Sequence, residues 1–218
     1  MGITIFAQGK LEGIEGVPRL IEYVKSTARE NGWKYHVIDV DFDAQLDAEL
    51  SPGNSAENSA HIEGSLGLKG IVLNGDPGSE PLAILFDRAG VLTDMLQQLA
   101  WIQNDKQGER YTVCKTQYAN IDTHIRIVEL LDELKQRYIA NLVVSDEGGY
   151  WESRDRRLLA EKRVFLGHCL RRTEKVISGI AMSDNEPRNA DALEERIEEA
   201  LLKSENNDEG LHDTLPKN

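Results

Sequence analysis

The sequence has little of what marks secreted or membrane-bound proteins. Its 218 residues include two cysteines and six prolines, and aromatic residues make up 6% of the chain. No apolar run approaches the roughly 20 residues that span a bilayer, and the first residues, MGITIFAQGKLEG, lack the pattern of a signal peptide. Cys114 and Cys169 have no CxxC partner, which favours free thiols over a disulfide or a zinc site. These absences predict a cytoplasmic protein without membrane association.

Positive charge is also scarce. The chain has 25 Lys and Arg against 38 Asp and Glu, a formal net charge of −13. A surface of that sign repels a phosphate backbone, so the composition disfavours nucleic acid as a partner. It favours a protein partner of basic character, or self-association. Residues 154–175 are locally basic, and this stretch is either a solvated helix exterior or a basic face on an acidic protein.

The clearest structural pattern lies between residues 111 and 151. An apolar run ends at Lys115, a long amphipathic segment follows, and a second apolar run ends at Asp146 before Gly148 and Gly149. This order predicts a strand, a helix and a second strand. If the two strands are parallel, their ends meet at one edge of the sheet, where open α/β sheets place their ligands.

A similar pattern occurs near the start of the chain. Placing Asp146 on Asp39 also aligns the apolar positions of the preceding helix and strand, which predicts two related βαβ halves, about residues 1–105 and 108–182. The first half is expected to form a strand, a helix and a strand at residues 3–7, 20–31 and 35–40.

The other segments complete a single predicted α/β domain over residues 1–182. Residues 44–67 lack a sustained period and are expected to form a long exposed loop that could act as a lid. Further predicted elements are an antiparallel hairpin at 68–73 and 82–86, a helix at 91–103, and an acidic tail at 183–218 with a helix at 192–203. The apolar stripe at 153–180 fits either one long helix or two helices broken near Gly167. The predicted fold is a mixed sheet of about six strands with helices packed on it, with an α+β arrangement left open.

Polar side chains follow each strand that the two halves predict. If both halves share one sheet in one direction, these side chains form a single cleft. Carboxylates from different strands could then bind a divalent metal or act as acid and base, with no individual metal ligand assigned. The candidate cleft residues are Gln8, Lys10, Asp39, Asp41, Lys115, Gln117, His124, Asp146 and Glu147.

The sequence leaves the function open between binding and catalysis. Because no complete catalytic set is present, the leading hypothesis is a non-catalytic cytoplasmic binding or regulatory protein. The alternative is a metal-assisted hydrolase that uses the carboxylate cleft.

A third hypothesis comes from a resemblance. Residues 82–94, LAILFDRAGVLTD, are similar to the first motif of haloacid-dehalogenase-like phosphatases, in which an apolar strand delivers an aspartate nucleophile. The resemblance implies that Asp87 is the nucleophile and that Ser145 contacts the phosphate. Ala89 stands where most members have their acid-base aspartate, which places that role in doubt.

Overall fold

A computed structural model describes residues 3–51 and 61–179, with side chains described as far as residue 174. Residues 52–60, the acidic tail at 183–218 and its predicted helix at 192–203 lie outside the described residues. Contacts divide the chain into two units, Met1–Arg163 and Val164–Asn218. The elements that carry the candidate sites all belong to the first unit.

The described residues contain nine strands and five helices. The strands are β1 (Thr4–Gln8), β2 (Lys34–Asp39), β3 (Glu49–Ser51), β4 (His61–Glu63), β5 (Lys69–Asn74), β6 (Leu82–Phe86), β7 (Leu92–Thr93), β8 (Thr112–Lys115) and β9 (Val143–Asp146). The helices are α1 (Val17–Glu30), α2 (Met95–Gln103), α3 (Ile121–Arg137), α4 (Tyr150–Ser153) and α5 (Arg156–Gly179), and a 3-10 turn, Ile14–Gly16, precedes α1. This mixed content confirms the predicted α/β or α+β class.

Within the described residues the sheets are antiparallel throughout. The strand orders are β8-β1-β9 and β2-β5-β6-β7, with β3-β4 as a separate pair. Hydrogen bonds connect the first two sheets, because Thr112 Oγ1 donates to the carbonyl of Ala83 (2.6 Å) and the amide of Glu80 donates to the carbonyl of Lys115 (2.8 Å). The predicted antiparallel hairpin of β5 and β6 is confirmed.

The expected parallel arrangement of the first half is wrong. β1 and β2 belong to different sheets, and β1 lies between β8 and β9, antiparallel to both. The strand–helix–strand unit of β8, α3 and β9 is present as predicted, but α3 must cross over β1 to connect its two strands. The two strands predicted in the first half, β1 and β2, lie in different sheets, whereas β8 and β9 of the second half lie on either side of β1 in one sheet. The internal repeat therefore stays a prediction.

The main hydrophobic core lies between the sheets and helices α1 and α3. Leu20 and Val24 of α1 and Val128 and Leu131 of α3 are buried in it with apolar residues of β1, β5, β6 and β9. Both helices present apolar residues three or four positions apart, so one face of each is buried. Pro18 stands in the first turn of α1, where a missing backbone N–H costs nothing.

Strand β6 is buried on both faces. Leu82, Ile84 and Phe86 belong to the main core, whereas Ala83 and Leu85 belong to a second cluster. That second cluster also contains Leu99 of α2, so α2 covers the face of β6 opposite to α1 and α3. The first of the two candidate sites below lies near α3, and the second lies on the α2 side.

Residues 44–67 are more ordered than the sequence predicts. Strands β3 and β4 within this segment pair as an antiparallel ladder, and Ala48 is buried in the second cluster. The amide of Ser65 donates to Asp47 Oδ1 (2.8 Å), which ties the ends of the segment together. The expectation of a loop without secondary structure is therefore corrected for the described residues.

Helix α5 begins in the first unit and ends in the second. The sequence predicts that its apolar stripe is buried, yet Val164 and Phe165 are 60% and 63% exposed. None of the described helices is long and apolar enough to cross a membrane.

Candidate functional site

The structure brings two of the predicted cleft residues together, and it buries them. His124 Nε2 lies 3.1 Å from Asp146 Oδ2, and His124 Nδ1 lies 2.7 Å from Thr116 Oγ1. The backbone amides of Gly148 (2.7 Å), Tyr150 (2.7 Å) and Trp151 (3.0 Å) also donate to the Asp146 carboxylate. These bonds connect β8, α3 and β9 to the start of α4.

The pKa of Asp146 reflects two opposing effects. Burial raises the pKa, whereas the hydrogen bond and charge of His124 and the amides of Trp151 and Gly148 lower it. The resulting pKa of Asp146 lies below the ordinary value of 3.8, so the side chain that accepts these hydrogen bonds is the ionised carboxylate. Because neither the Asp146 nor the His124 side chain is exposed, a substrate cannot reach this pair in the folded state. The pair therefore acts as a structural tie.

Successive side chains of a strand point to opposite faces, and this separates the other candidate residues of the second half from the His124–Asp146 pair. Asp146 faces the core from β9, and the residue after it, Glu147, is exposed on the opposite face. Thr4 of β1 is the register partner of Lys115, and the carbonyl of Thr4 accepts the amide of Glu147 (3.0 Å). Lys115 and Glu147 therefore lie on either side of β1, outside the core. Gln117 is half-buried, and among the described residues its Oε1 has no hydrogen-bond partner.

The first-half residues lie elsewhere because their strands run differently. Gln8 pairs with Val143 at the far end of β9 from Asp146, since β1 is antiparallel to β9. Asp39 ends β2 and forms an ion pair with Lys69 (3.0 Å), with β5, β6, β8 and β1 between it and β9. Asp41 Oδ1 accepts the amide of Asp43 in a local turn (2.9 Å).

Lys10 lies beyond the end of β1. Its amide donates to Asn141 Oδ1 (2.9 Å) and it forms an isolated bridge with Val91. The predicted residues thus occupy several places instead of one cleft. Over the parts of the chain that are described, no three His, Cys, Asp or Glu side chains form a group that could hold a metal ion.

A second site is present on the α2 side of the sheet. It is a pocket of about 620 Å³ lined by residues 42–46, Gly67, residues 87–89, Gln98, Trp101 and Lys106. Its size is within the range of about 300–1,000 Å³ that small-molecule sites usually have. The pocket combines aromatic and aliphatic side chains with several charged ones.

A buried ion pair lies beside the pocket, and one of its members, Asp87, is a lining residue. Arg110 Nη1 donates to Asp87 Oδ2 at 2.6 Å, and the exposed fractions of the two side chains are 10% and 9%. Arg110 Nη1 also donates to Gln98 Oε1 (3.1 Å), and Gln98 Nε2 donates to the carbonyl of Leu66 (3.0 Å). Asp87, Arg110 and Gln98 therefore each have at least one hydrogen-bond partner in this network.

Aromatic packing holds the guanidinium as well. The Arg110 guanidinium lies over the Trp101 ring, with its carbon 4.1 Å from the ring centroid, which is a favourable cation–π arrangement. Asp87 is fixed by its own backbone surroundings, because its Oδ1 accepts the amide of Val91 (2.8 Å). The outcome is a rigid polar network under an accessible pocket.

The rim of the pocket has a second, exposed ion pair. Arg88 Nη2 lies 2.6 Å from Asp43 Oδ1 and also donates to the carbonyl of Phe42. This contact connects the turn after β6 to residues 42–46. Because both side chains are largely exposed, the pair is weaker than the buried one and is screened by salt.

The arrangement around Asp87 does not support the phosphatase resemblance. Both carboxylate oxygens of Asp87 already accept hydrogen bonds, and the chain turns back at Gly90 into β7. Ser145 is exposed on β9, and β8 and β1 lie between β9 and β6. The residues that the resemblance groups together are thus separated.

Sequence reasoning missed most of the pocket. Hydrophobic spacing places Met95, Leu96 and Leu99 on one apolar side of α2, yet Met95 and Leu96 are exposed, and the polar Gln98 is buried together with Leu99. The helix begins only at Met95 because Asp94 caps it, accepting the amide of Gln97 (2.8 Å). No pattern in the sequence marks Arg110 as the partner of Asp87.

Comparison of the chain with protein-family models, with curated proteins and with solved structures finds no match in any of the three. The functional conclusion therefore rests on the geometry of the site.

Proposed function

We propose that this chain is a non-catalytic binding protein that takes up a small organic molecule in the pocket formed by residues 42–46, the turn at residues 87–89 and helix α2. The observation that carries the proposal is the buried network of Asp87, Arg110 and Gln98 at this pocket. The sheet and α2 hold this network in place, which is what a pre-organised ligand site requires.

The cost of burying the ion pair supports a role in binding. Taking two charges out of water costs several kcal/mol per ion, and apolar residues of similar volume often serve stability equally well. A buried Asp–Arg pair is therefore weak evidence for a purely structural purpose. Beside an open pocket, the pair instead fixes the orientation of polar groups that a ligand meets.

The state of the carboxylate favours binding over catalysis. Asp87 Oδ2 accepts from Arg110 and Oδ1 accepts from Val91, so both oxygens are held in place by the protein. A nucleophile or general base needs an oxygen that a substrate can reach, and the Asp87 side chain is only 9% exposed. Binding without chemical conversion is the function that fits this geometry.

A cytoplasmic location is part of the same proposal. Both cysteines are free, and Cys114 is buried. Free thiols suit a reducing compartment, which supports a cytoplasmic location. A protein partner or self-association stays a prediction.

The test is a fragment screen by ligand-observed NMR on three proteins: the native chain, an Ala89→Trp variant and an Ala140→Trp variant. Ala89 lines the pocket and is exposed, so tryptophan there fills the pocket without disturbing the core. Ala140 is exposed on the loop between α3 and β9 and is the matched control. We expect fragments that bind the native chain and the control but not Ala89→Trp. If no fragment shows this selectivity, the proposal is wrong.

A further inference from the structure

We infer that the pocket takes an organic anion, a carboxylate or a phosphate monoester on a flat apolar body, and that Lys106 binds the charged group. This inference rests on the proposed function, since it assigns a ligand class to the same pocket. It goes beyond that function because a binding pocket with this outline could equally serve a neutral or a cationic molecule.

The first step is the pairing of charges in the pocket. Asp87 is neutralised by Arg110 and Asp43 by Arg88, each at 2.6 Å. Lys106 lines the same pocket, and its ammonium has no ion pair or hydrogen bond to any residue that the structure describes. The charge left for a ligand to meet is therefore positive, in spite of the net charge of −13 on the whole chain.

The second step is the backbone at Lys106, an observation independent of charge. Asp105 and Lys106 have φ values of 48° and 61°, the left-handed region that residues with a Cβ adopt only at a cost. The amide of Lys106 donates to the carbonyl of Trp101 (2.9 Å), which closes the end of α2 in the way that a glycine-containing helix terminus usually does.

This helix end uses an aspartate and a lysine where glycine would be unstrained. Strained backbone of this kind is concentrated at ligand sites, where the surrounding structure holds a side chain in place. Here one of the two strained residues, Lys106, carries a long cationic side chain that lines the pocket. The pairing of charges and the backbone conformation thus point independently to the same residue.

The third step is the character of the remaining pocket lining. Phe42, Leu46 and Trp101 supply an apolar surface beside the charged groups. Aromatic side chains favour stacked or edge-on contacts with flat rings. A ligand that satisfies both parts of the pocket has a flat apolar body and one anionic group, which meets Lys106.

The test uses one ring system with four substituents: 2-naphthoate, 2-naphthyl phosphate, 2-naphthamide and 2-naphthylmethylamine. Isothermal titration calorimetry or NMR shift titration gives the Kd of each for the native chain. We expect at least one anion to bind about ten-fold tighter than the neutral amide, as a single charge-assisted contact allows. The amine should bind most weakly, and the ratio of the two anions distinguishes a carboxylate from a phosphate ligand.

Variants at the helix end assign the effect to Lys106. Lys106→Met should abolish the preference for the anions while leaving the Kd of the amide unchanged, and Lys106→Arg should retain it. Lys34→Met removes an exposed lysine of β2 that does not line the pocket, so it is the matched control and should keep the preference. Lys106→Gly should lose the preference while raising the midpoint of thermal unfolding, because glycine adopts this φ without strain.

The outcomes separate the inference from the proposed function. If the amide or the amine binds the pocket as tightly as both anions, the inference is overturned while small-molecule binding stands. The same holds if Lys106→Met keeps the preference for the anions. If none of the four probes binds and the fragment screen also finds no ligand that Ala89→Trp excludes, both the inference about Lys106 and the proposed function are wrong.

Discussion

His124 Nε2 lies 3.1 Å from Asp146 Oδ2, and neither side chain exposes any surface to solvent. Thr116 Oγ1 extends this contact from the other ring nitrogen and also lies 3.3 Å from the carbonyl of Ile3. A buried chain of polar groups thus connects the start of β1, the end of β8, helix α3 and the end of β9. Its members are satisfied by one another, so removing one leaves another unpaired in a medium of low dielectric constant.

Asp146→Asn should destabilise the protein at neutral pH by about 1–3 kcal/mol, because the new amide group cannot accept all the hydrogen bonds that the carboxylate accepts. The folded-state pKa of Asp146 lies below its ordinary value of 3.8. Its contribution to stability is therefore present above that value and is lost as pH falls through the lower folded-state pKa. We expect the difference in unfolding free energy between native and variant chains to shrink on acidification below about pH 4.

Urea unfolding at a series of pH values checks this. Glu12→Gln, which removes an exposed carboxylate, is the control and should follow the native curve. If the difference in unfolding free energy between Asp146→Asn and the native chain stayed constant down to pH 3, the folded protein would not hold Asp146 as an ionised, hydrogen-bonded carboxylate.

Arg110→Met should cost about 3–5 kcal/mol of unfolding free energy, because it leaves the buried Asp87 carboxylate without its counter-charge. The double variant Asp87→Asn with Arg110→Met removes the unpaired charge and should be more stable than Arg110→Met alone. Urea denaturation of the native chain, both single variants and the double variant gives the coupling energy. Additive effects would show that the 2.6 Å contact between these side chains contributes no coupling in solution.

Gly70→Ala should destabilise the protein by about 2–4 kcal/mol, among the larger effects of single substitutions. Gly70 has a φ of 152°, and a Cβ there would lie 2.1 Å from the carbonyl oxygen of Ile84 on the neighbouring strand. Gly16→Ala is the matched control, because a Cβ at Gly16 meets nothing within 4 Å. Thermal unfolding should show a large loss for the first variant and a small change for the second. Equal effects would contradict the close approach of β5 and β6 at Gly70.

The two thiols should react at very different rates. Burial, with a smaller contribution from the charge of Glu80, raises the pKa of Cys114 to about 12, and the side chain is enclosed by the core. Only about one thiol in ten thousand is then ionised at pH 8, and only the thiolate reacts. Cys169 is partly exposed.

Absorbance with a disulfide reagent at pH 8 measures both rates. The Cys114→Ala variant should react quickly through Cys169, and the Cys169→Ser variant should react slowly until denaturant is added. Rapid labelling of Cys114 in the folded Cys169→Ser variant would contradict its burial.

Much of the local structure was predictable because hydrophobic spacing reports which side of an element is buried. The long amphipathic segment between the two apolar runs predicted a helix, and the observed α3 is Ile121–Arg137. The same reasoning predicted the β5–β6 hairpin from a cluster of turn residues between two apolar runs. It failed at α2, where Gln98 is buried and Leu96 is exposed, because a buried polar residue with fixed partners is invisible to a hydrophobic pattern.

The prediction of a single cleft depended on the directions of the strands, and hydrophobic spacing carries no information about strand direction. His124 and Asp146 are two of the nine residues expected in one cleft, and they lie 3.1 Å apart because α3 begins soon after β8 and β9 runs alongside β1. Asp39 and Gln8 were expected beside them, but β1 is inserted antiparallel between β8 and β9. A period of two residues fixes the face of each side chain and leaves the choice of neighbouring strand undetermined.

The sequence by itself determined that this chain is an acidic α/β protein, where its main helices and strands lie, and that its cysteines lack disulfide or zinc spacing. Composition and periodicity are local properties, so they can be read from consecutive residues. Only the tertiary structure decided that Asp87 meets Arg110 and that Lys106 shares a pocket with Phe42. These residues are far apart in the sequence, and their meeting depends on strand order and helix placement, which arise from packing of the whole unit.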